Sequence, residues 1–244
     1  MVSLRILVVA AATLAGMGGG VARAADMSGY PELPPHEAAP AIESASGWYL
    51  RGDLGYGWGR LQGAESASFF PDPTESSLGN GFILGAGAGY KSRWLRTDLT
   101  VDYTSPLKYT GTIAAADDTT AKVEAGTALF NGYIDLGTWY RATPYIGAGA
   151  GVSYLRTFDY TSTAAPPFTT GLSNTQWNFT WAATAGVGFT IGTNLTLDLN
   201  YRYVNFGDVE TASDSFGAMT LKNLYAHEVR LGLRWSFDDQ PFQE

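Results

Sequence analysis

The chain has 244 residues, 23 acidic against 15 basic side chains, a formal net charge of −8 and no cysteine. That balance argues against nucleic acid as a partner and leaves no broad basic surface, while the missing cysteines exclude disulfides and thiolate metal sites. Mean hydropathy is near zero, and no later segment approaches the ~20 apolar residues of a transmembrane helix.

The N-terminus opens Met1-Val2-Ser3-Leu4-Arg5, runs apolar from Ile6 to about Ala15 and reaches Ala22-Arg23-Ala24 before Ala25-Asp26. A charged start, a short apolar core and small residues at minus three and minus one predict a secretory signal over 1–24. Its removal takes away Arg5 and Arg23 and no acidic residue, leaving 13 basic against 23 acidic residues, a balance of about −10. Residues 25–46 hold Pro31, Pro34, Pro35 and Pro40 among acidic and small residues, the composition of an extended tether.

From Gly47 the pattern turns to period two. Trp48, Leu50, Leu54, Tyr56 and Trp58 alternate with Tyr49, Arg51, Asp53, Gly55 and Gly57. Over 81–90, Phe82, Leu84, Ala86, Ala88 and Tyr90 oppose Ile83 and three glycines, and over 94–103, Leu95, Thr97, Leu99, Val101 and Tyr103 oppose Trp94, Arg96, Asp98, Thr100 and Asp102. The weakest segment, 123–136, sets Phe130, Ile134 and Leu136 against Asn131, Tyr133 and Asp135, with an ambiguous first half. Clear alternation returns over 144–154 and is longest over 176–191, where Trp177, Phe179, Trp181, Ala183, Ala185, Val187, Phe189 and Ile191 share one face. In 195–204, Leu195, Leu197, Leu199, Tyr201 and Tyr203 oppose Asp198 and Arg202; in 225–237, Tyr225, Val229, Leu231, Leu233, Trp235 and Phe237 oppose Glu228, Arg230 and Arg234. Aromatics towards strand ends with small aliphatics between suit a strand crossing a bilayer.

The gaps supply a second signal. Those near 60–80, 105–122, 156–175 and 205–223 are long and hold turn formers such as Pro71-Asp72-Pro73, Asp117-Asp118 and Pro166-Pro167, whereas Lys91-Ser92-Arg93, 137–143 and Gly192-Thr193-Asn194 are short. Long external loops alternating with short turns belong to outer-membrane barrels. The fold expected is therefore all-β, an eight-stranded antiparallel transmembrane β-barrel over 47–237, with both termini in the periplasm and a C-terminal extension over 238–244.

The last strand ends Arg230-Leu231-Gly232-Leu233-Arg234-Trp235-Ser236-Phe237, in which Gly232, Trp235 and Phe237 resemble the signal read by the barrel assembly machinery. With 47–59 at one end and 227–237 at the other, the chain resembles the small porin-like outer-membrane proteins of Gram-negative bacteria, the OmpA-like eight-stranded group. The resemblance covers 47–237 and implies an outer-membrane location, periplasmic chaperones and the assembly machinery as partners in biogenesis, and outer-membrane lipids and lipopolysaccharide as surroundings. Such folds host pores, adhesins, enzymes and structural proteins, so the activity stays open.

Parity turns Arg51, Asp53, Arg96, Asp98, Asp102, Asp135, Asp198, Arg202, Glu228, Arg230 and Arg234 inward, six carboxylates and five guanidiniums. In a lumen that side chains fill at eight strands, mutual ion pairing is the expected arrangement. The inward glycines also fit a narrow gated path for small solutes, and Gly in a strand equally serves curvature. His227, on the lipid-facing parity, has Val229 two positions on in place of a serine, so it reads as a belt residue and not a catalytic base. Asp117-Asp118 and Asp208-Glu210-Asp214 lack the ordered spacing of a calcium site. Phe69, Phe70, Phe158, Tyr160 and Phe168 fit either a surface ligand or loop packing. The function expected is structural, supporting the envelope and presenting surface loops, with a low-conductance porin as the alternative and no enzyme activity, metal or cofactor.

Overall fold

Alternation of bulky apolar with polar or small residues fixes which face each strand presents, and closure removes the edge that an open sheet would expose in lipid. The computed structural model describes residues 46–66, 75–112, 118–162, 168–170, 173–210 and 219–237. Eight long strands form the barrel: β1 (Gly47–Arg60), β2 (Asn80–Ser92), β3 (Leu95–Thr112), β4 (Asp118–Asp135), β5 (Ala142–Ser162), β6 (Asn174–Thr190), β7 (Leu195–Glu210) and β8 (Met219–Ser236). Consecutive strands pair antiparallel, and β8 returns to β1 in a register running from Tyr49 opposite Ser236 to Arg60 opposite Tyr225, which closes the sheet. Phe237 extends the closure by donating its N–H to the Trp48 carbonyl at 2.9 Å.

The expected eight-stranded fold is the one found, with three additions. Short strands Gly63–Ser66, Glu75–Leu78 and Phe168–Thr170 pair with β8, β3 and β5 respectively. The long strands also run further than the alternation suggested, so that much of 105–112, 118–122, 156–162 and 205–210, expected as loop, is ladder. Trp94, expected on the inward face, sits 60% exposed in the turn between β2 and β3, beside Arg93 at φ 49°. The signal and tether at 1–45, the tips Phe69, Phe70, Pro71-Asp72-Pro73, Asp117, Pro166-Pro167 and Asp214, and the extension 238–244 lie outside the described residues.

The outward face carries an apolar band. Trp48, Trp94, Ile134, Ile191, Trp235 and Phe237 mark the short-turn end, and Phe82, Tyr103, Tyr154 and Trp177 the other, all exposed. From Trp48 to Trp58 along β1, ten steps of roughly 3.3 Å tilted by about 40° give a band about 25 Å tall, the height of a bilayer's apolar zone. Strands such as the 21-residue β5 exceed the ~9–11 residues that a crossing requires, and the surplus stands beyond the band at the long-loop end.

Candidate functional site

The barrel interior is divided along its axis. Towards the short-turn end, inward positions of β1, β3, β4, β7 and β8 converge on a charged cluster, because alternate residues on strands of a narrow barrel meet across its axis. All eleven side chains singled out by parity face this interior, with side chains at most 9% exposed where they form ion pairs.

The cluster is built from three groups. Arg51 grips Asp53 through Nε and Nη2 at 2.9 and 2.7 Å and reaches Asp98 at 2.9 Å. Asp98 also accepts from the Tyr49 hydroxyl at 3.0 Å and from Asn131 Nδ2 at 2.8 Å. Asp102 receives Arg202 at 2.8 Å and Arg230 at 2.5 Å, while Arg202 Nε donates to Glu228 at 2.7 Å. Arg230 lies 3.6 Å from Asp53, which joins these two groups. Nearest the short turns, Asp135 takes Arg96 at 2.9 Å and Lys91 at 3.1 Å, and Arg234 lies 3.5 Å from Asp198. Lys91, read from the sequence as part of a turn, is the sixth cation and balances the six carboxylates. Forked arginine donors meeting carboxylates hold such charges in place and offset much of the desolvation that burial imposes.

The inward glycines do not leave a water-filled wall. Tyr49 is the register partner of Gly89, Tyr133 of Gly147 and Tyr145 of Gly186, and in each pair the ring occupies the space where a glycine Cβ would stand. Arg96 lies 4.3 Å from the Tyr145 ring centroid and 5.0 Å from that of Tyr133, and Arg234 lies 5.4 Å from that of Tyr49. A cation over an aromatic face is held electrostatically. Gly85 and Gly188 are likewise backed by Asp102 with Arg230 and by Arg234 with Asp198. Glycine here makes room for the side chain of the neighbouring strand.

Towards the long-loop end the interior is apolar. Leu78, Leu107, Tyr109, Ala121, Val123, Ala125, Leu155, Ala182, Val204, Phe206, Val209, Leu221, Leu224 and Ala226 pack there, all at most 6% exposed. A hydroxyl chain in which Thr180 donates to Ser153 at 2.7 Å and Ser153 meets Thr127 at 3.0 Å lies between the walls of β4, β5 and β6. An apolar cavity there, lined by Ile83, Leu107, Val123, Phe206 and neighbours, has about 20 Å³, room for one water-sized group. This plug was not anticipated. A run such as Ala121, Val123, Ala125 reads as a weak strand only until its inward direction is known.

Outside the lumen, His227 sits among Tyr201, Tyr203 and Tyr225, with Nδ1 2.5 Å from the Tyr201 hydroxyl. No serine or threonine bonds it among the described residues, so it carries an aromatic-belt geometry. Beyond the band, Asp208 accepts the Asn223 N–H at 2.8 Å and lies 3.4 Å from Lys222, contacts that hold its carboxyl below the usual carboxylate range, the N–H foremost. No group of acidic and histidine side chains suited to a metal occurs among the described residues.

Residues 12–237 match the family model described as outer membrane protein beta-barrel domain. An uncharacterized protein of Brucella abortus is 30% identical over 242 residues, covering 79% of this chain and 85% of that protein. Outer membrane protein PagN of Salmonella typhimurium is 30% identical over 95 residues, 39% of this chain and 40% of its own length. Among solved structures, Neisserial surface protein A is 22% identical with a TM-score of 0.46, covering 79% of this chain and 98% of that one.

Proposed function

The chain belongs to the outer-membrane β-barrel family, and from that premise we propose that it is a structural barrel with a closed lumen, supporting the envelope and presenting its long loops at the cell surface. One observation carries this reading: the glycine-lined wall, where a solute path would need room, is filled by Tyr49, Tyr133 and Tyr145, and the far half of the lumen is packed with apolar side chains. Ions meet a desolvation barrier in such a plug, and a static ion-pair network beneath it gives no continuous water column.

In this reading residues 1–24 are a signal peptide, 25–46 a periplasmic tether and 238–244 an extension past the last strand. Both ends of the barrel chain lie at the short-turn end, which supports periplasmic termini. Gly232, Trp235 and Phe237 serve the assembly machinery. Trp235 and Phe237 present neighbouring rings, centroids 5.1 Å apart, on the strand that closes the barrel. This scheme assigns no catalytic role to any of the described residues.

Planar-bilayer recording of the refolded mature chain tests the closed lumen. The expected result is a folded, electrically silent barrel. Steady conductance steps that change on Arg96→Ala or Asp198→Ala would replace this reading with the low-conductance porin. Because the chain has no cysteine, orientation is testable by single replacements: in intact cells a membrane-impermeant maleimide should label Ser173→Cys and spare Tyr140→Cys, and the reverse pattern would invert the topology.

A further inference from the structure

On β3 and β4 two lysines, Lys108 and Lys122, are direct register partners and both are exposed on the outward face. Like charges directly opposite, with Cβ atoms roughly 4.5–5.5 Å apart, weaken a ladder, so the pairing has a cost in the empty protein. β5 adds Arg156 and Phe158 beside them, with Lys122 Nζ 5.9 Å and Arg156 Cζ 5.3 Å from the Phe158 ring centroid. Lys122 pairs with Asp159 at 2.9 Å and Arg156 with Glu124 at 3.4 Å, while Lys108 has no ion pair among the described residues. The patch thus holds three cations against two carboxylates on a chain whose net charge is −8.

The backbone is irregular at this same level on three adjacent strands. The β3–β4 register shifts between Thr104 and Leu107, the β4–β5 register shifts between Thr120 and Lys122, and Asp159 on β5 has φ 55°. Bulges re-aim side chains and gather beside functional surfaces. Between them lies an open cleft of about 220 Å³ lined by Pro106, Lys108, Thr120, Lys122, Phe158 and Asp159.

Its height identifies the ligand class. Tyr103, Gly126, Tyr154 and Trp177 form one continuous cross-strand row at the edge of the apolar band. Lys122 stands four residues above Gly126, about 10 Å along a tilted strand, and flexible lysine stems reach back towards the band. That is where the headgroups of the surrounding leaflet lie. We propose that this cleft binds a phosphate group of an outer-leaflet glycolipid, with Lys108 and Lys122 on the phosphate and Phe158 against the apolar side of the sugar. The proposal rests on the outward orientation of the long-loop end, which the cysteine labelling above tests separately.

The test is native mass spectrometry of the refolded mature protein released from detergent, with bisphosphorylated lipid A, its dephosphorylated form and inorganic phosphate as probes. Bisphosphorylated lipid A should be retained, about tenfold less by Lys108→Gln with Lys122→Gln, and undiminished by Lys222→Gln. Salt should weaken retention, since exposed ion pairs are screened. Equal retention by the double variant, or of the dephosphorylated lipid, would overturn the assignment; displacement by inorganic phosphate at matched concentration would assign the cleft to a free anion and overturn the lipid source. If the double variant does not refold, Lys108→Gln alone decides, because Lys108 carries no ion pair among the described residues. Labelling of Tyr140→Cys in intact cells together with lipid retention would refute the orientation and overturn the outer-leaflet source, while keeping the phosphate contact of Lys108 and Lys122.

Discussion

The two halves of the barrel solve opposite solvation problems with one sheet. At the short-turn end the outward residues, such as Leu50, Leu99, Phe130 and Leu233, are exposed and apolar, and the charges are inside. At the long-loop end the inward residues Val123, Leu155, Val204 and Leu221 are apolar, and Lys108, Lys122, Arg156 and Asp208 are outside. Strand parity is continuous apart from the bulges, yet the meaning of each face inverts where the solvent outside changes from lipid to water. Below the aromatic row the protein is stabilised by backbone ladders and ion pairs in a site that offers little hydrophobic gain; above it, by a core of the ordinary soluble kind.

Breaking one charge in the lower half is expected to have the largest effect. Asp102→Ala leaves Arg202 with Glu228 but removes the two short contacts of Arg230, whose remaining carboxylates lie at 3.6 and 3.7 Å. Loss of about 3–5 kcal/mol is expected from an uncompensated buried charge, read by urea unfolding in lipid vesicles. The double variant Asp102→Leu with Arg230→Met should recover most of that loss, since no charge is then orphaned. A single variant as stable as the wild type would mean that the lower half is hydrated and not a closed network.

In the upper half the corresponding cut is Leu155→Ala. Its side chain is 1% exposed within the plug, and truncation of a buried leucine costs about 2–5 kcal/mol according to how far the site collapses. A loss at the lower end of that range is expected, because the neighbouring cavity shows that packing there is already incomplete. The comparison sharpens if this variant alone raises the bilayer conductance: the plug and not the ion pairs would then be the barrier to ions.

At the junction of glycine wall and charge cluster, Gly147→Ala puts a Cβ against the Tyr133 ring and the Gly132 carbonyl. Overpacking of that kind costs about 1–3 kcal/mol. Pairing it with Tyr133→Phe should not restore stability, because the ring and not the hydroxyl is in conflict, whereas Tyr133→Ala should relieve the clash. Full additivity of Gly147→Ala with Tyr133→Ala would show that the glycine serves curvature instead.

The sequence made the barrel legible because lipid outside and charge inside give alternation its greatest contrast. The same contrast locates the inward carboxylates and arginines, which share a face with glycines. It fails where it inverts. The first half of β4 is ambiguous because Ala121, Val123 and Ala125 face a core while Lys122 and Glu124 face water, so the rule of apolar outside assigns the wrong meaning to the right parity. Lys91 was hidden because it closes a strand beside a turn, and its inward direction follows only from the length of β2. The tyrosine-over-glycine pairs depend on register between strands, as between Tyr145 and Gly186, which periodicity within one strand does not contain.

The smallest expected effect lies on the outer surface of the upper half. Asp208 is held below the usual carboxylate range by the Asn223 N–H and then by Lys222. A depressed folded value means that the unfolded chain binds more protons as pH falls through the ordinary carboxylate range, so the contribution is present above that range and is lost as pH drops through the lower folded value. At neutral pH Asp208→Ala should shift the Asn223 amide resonance and leave the unfolding midpoint almost unchanged, since exposed ion pairs contribute little. In the wild type the same resonance should move only below the usual carboxylate range. Titration of that amide within the ordinary range would show that water, and not the ladder end at Asn223, governs the carboxylate, and that the core-like character of the upper half stops beneath its surface.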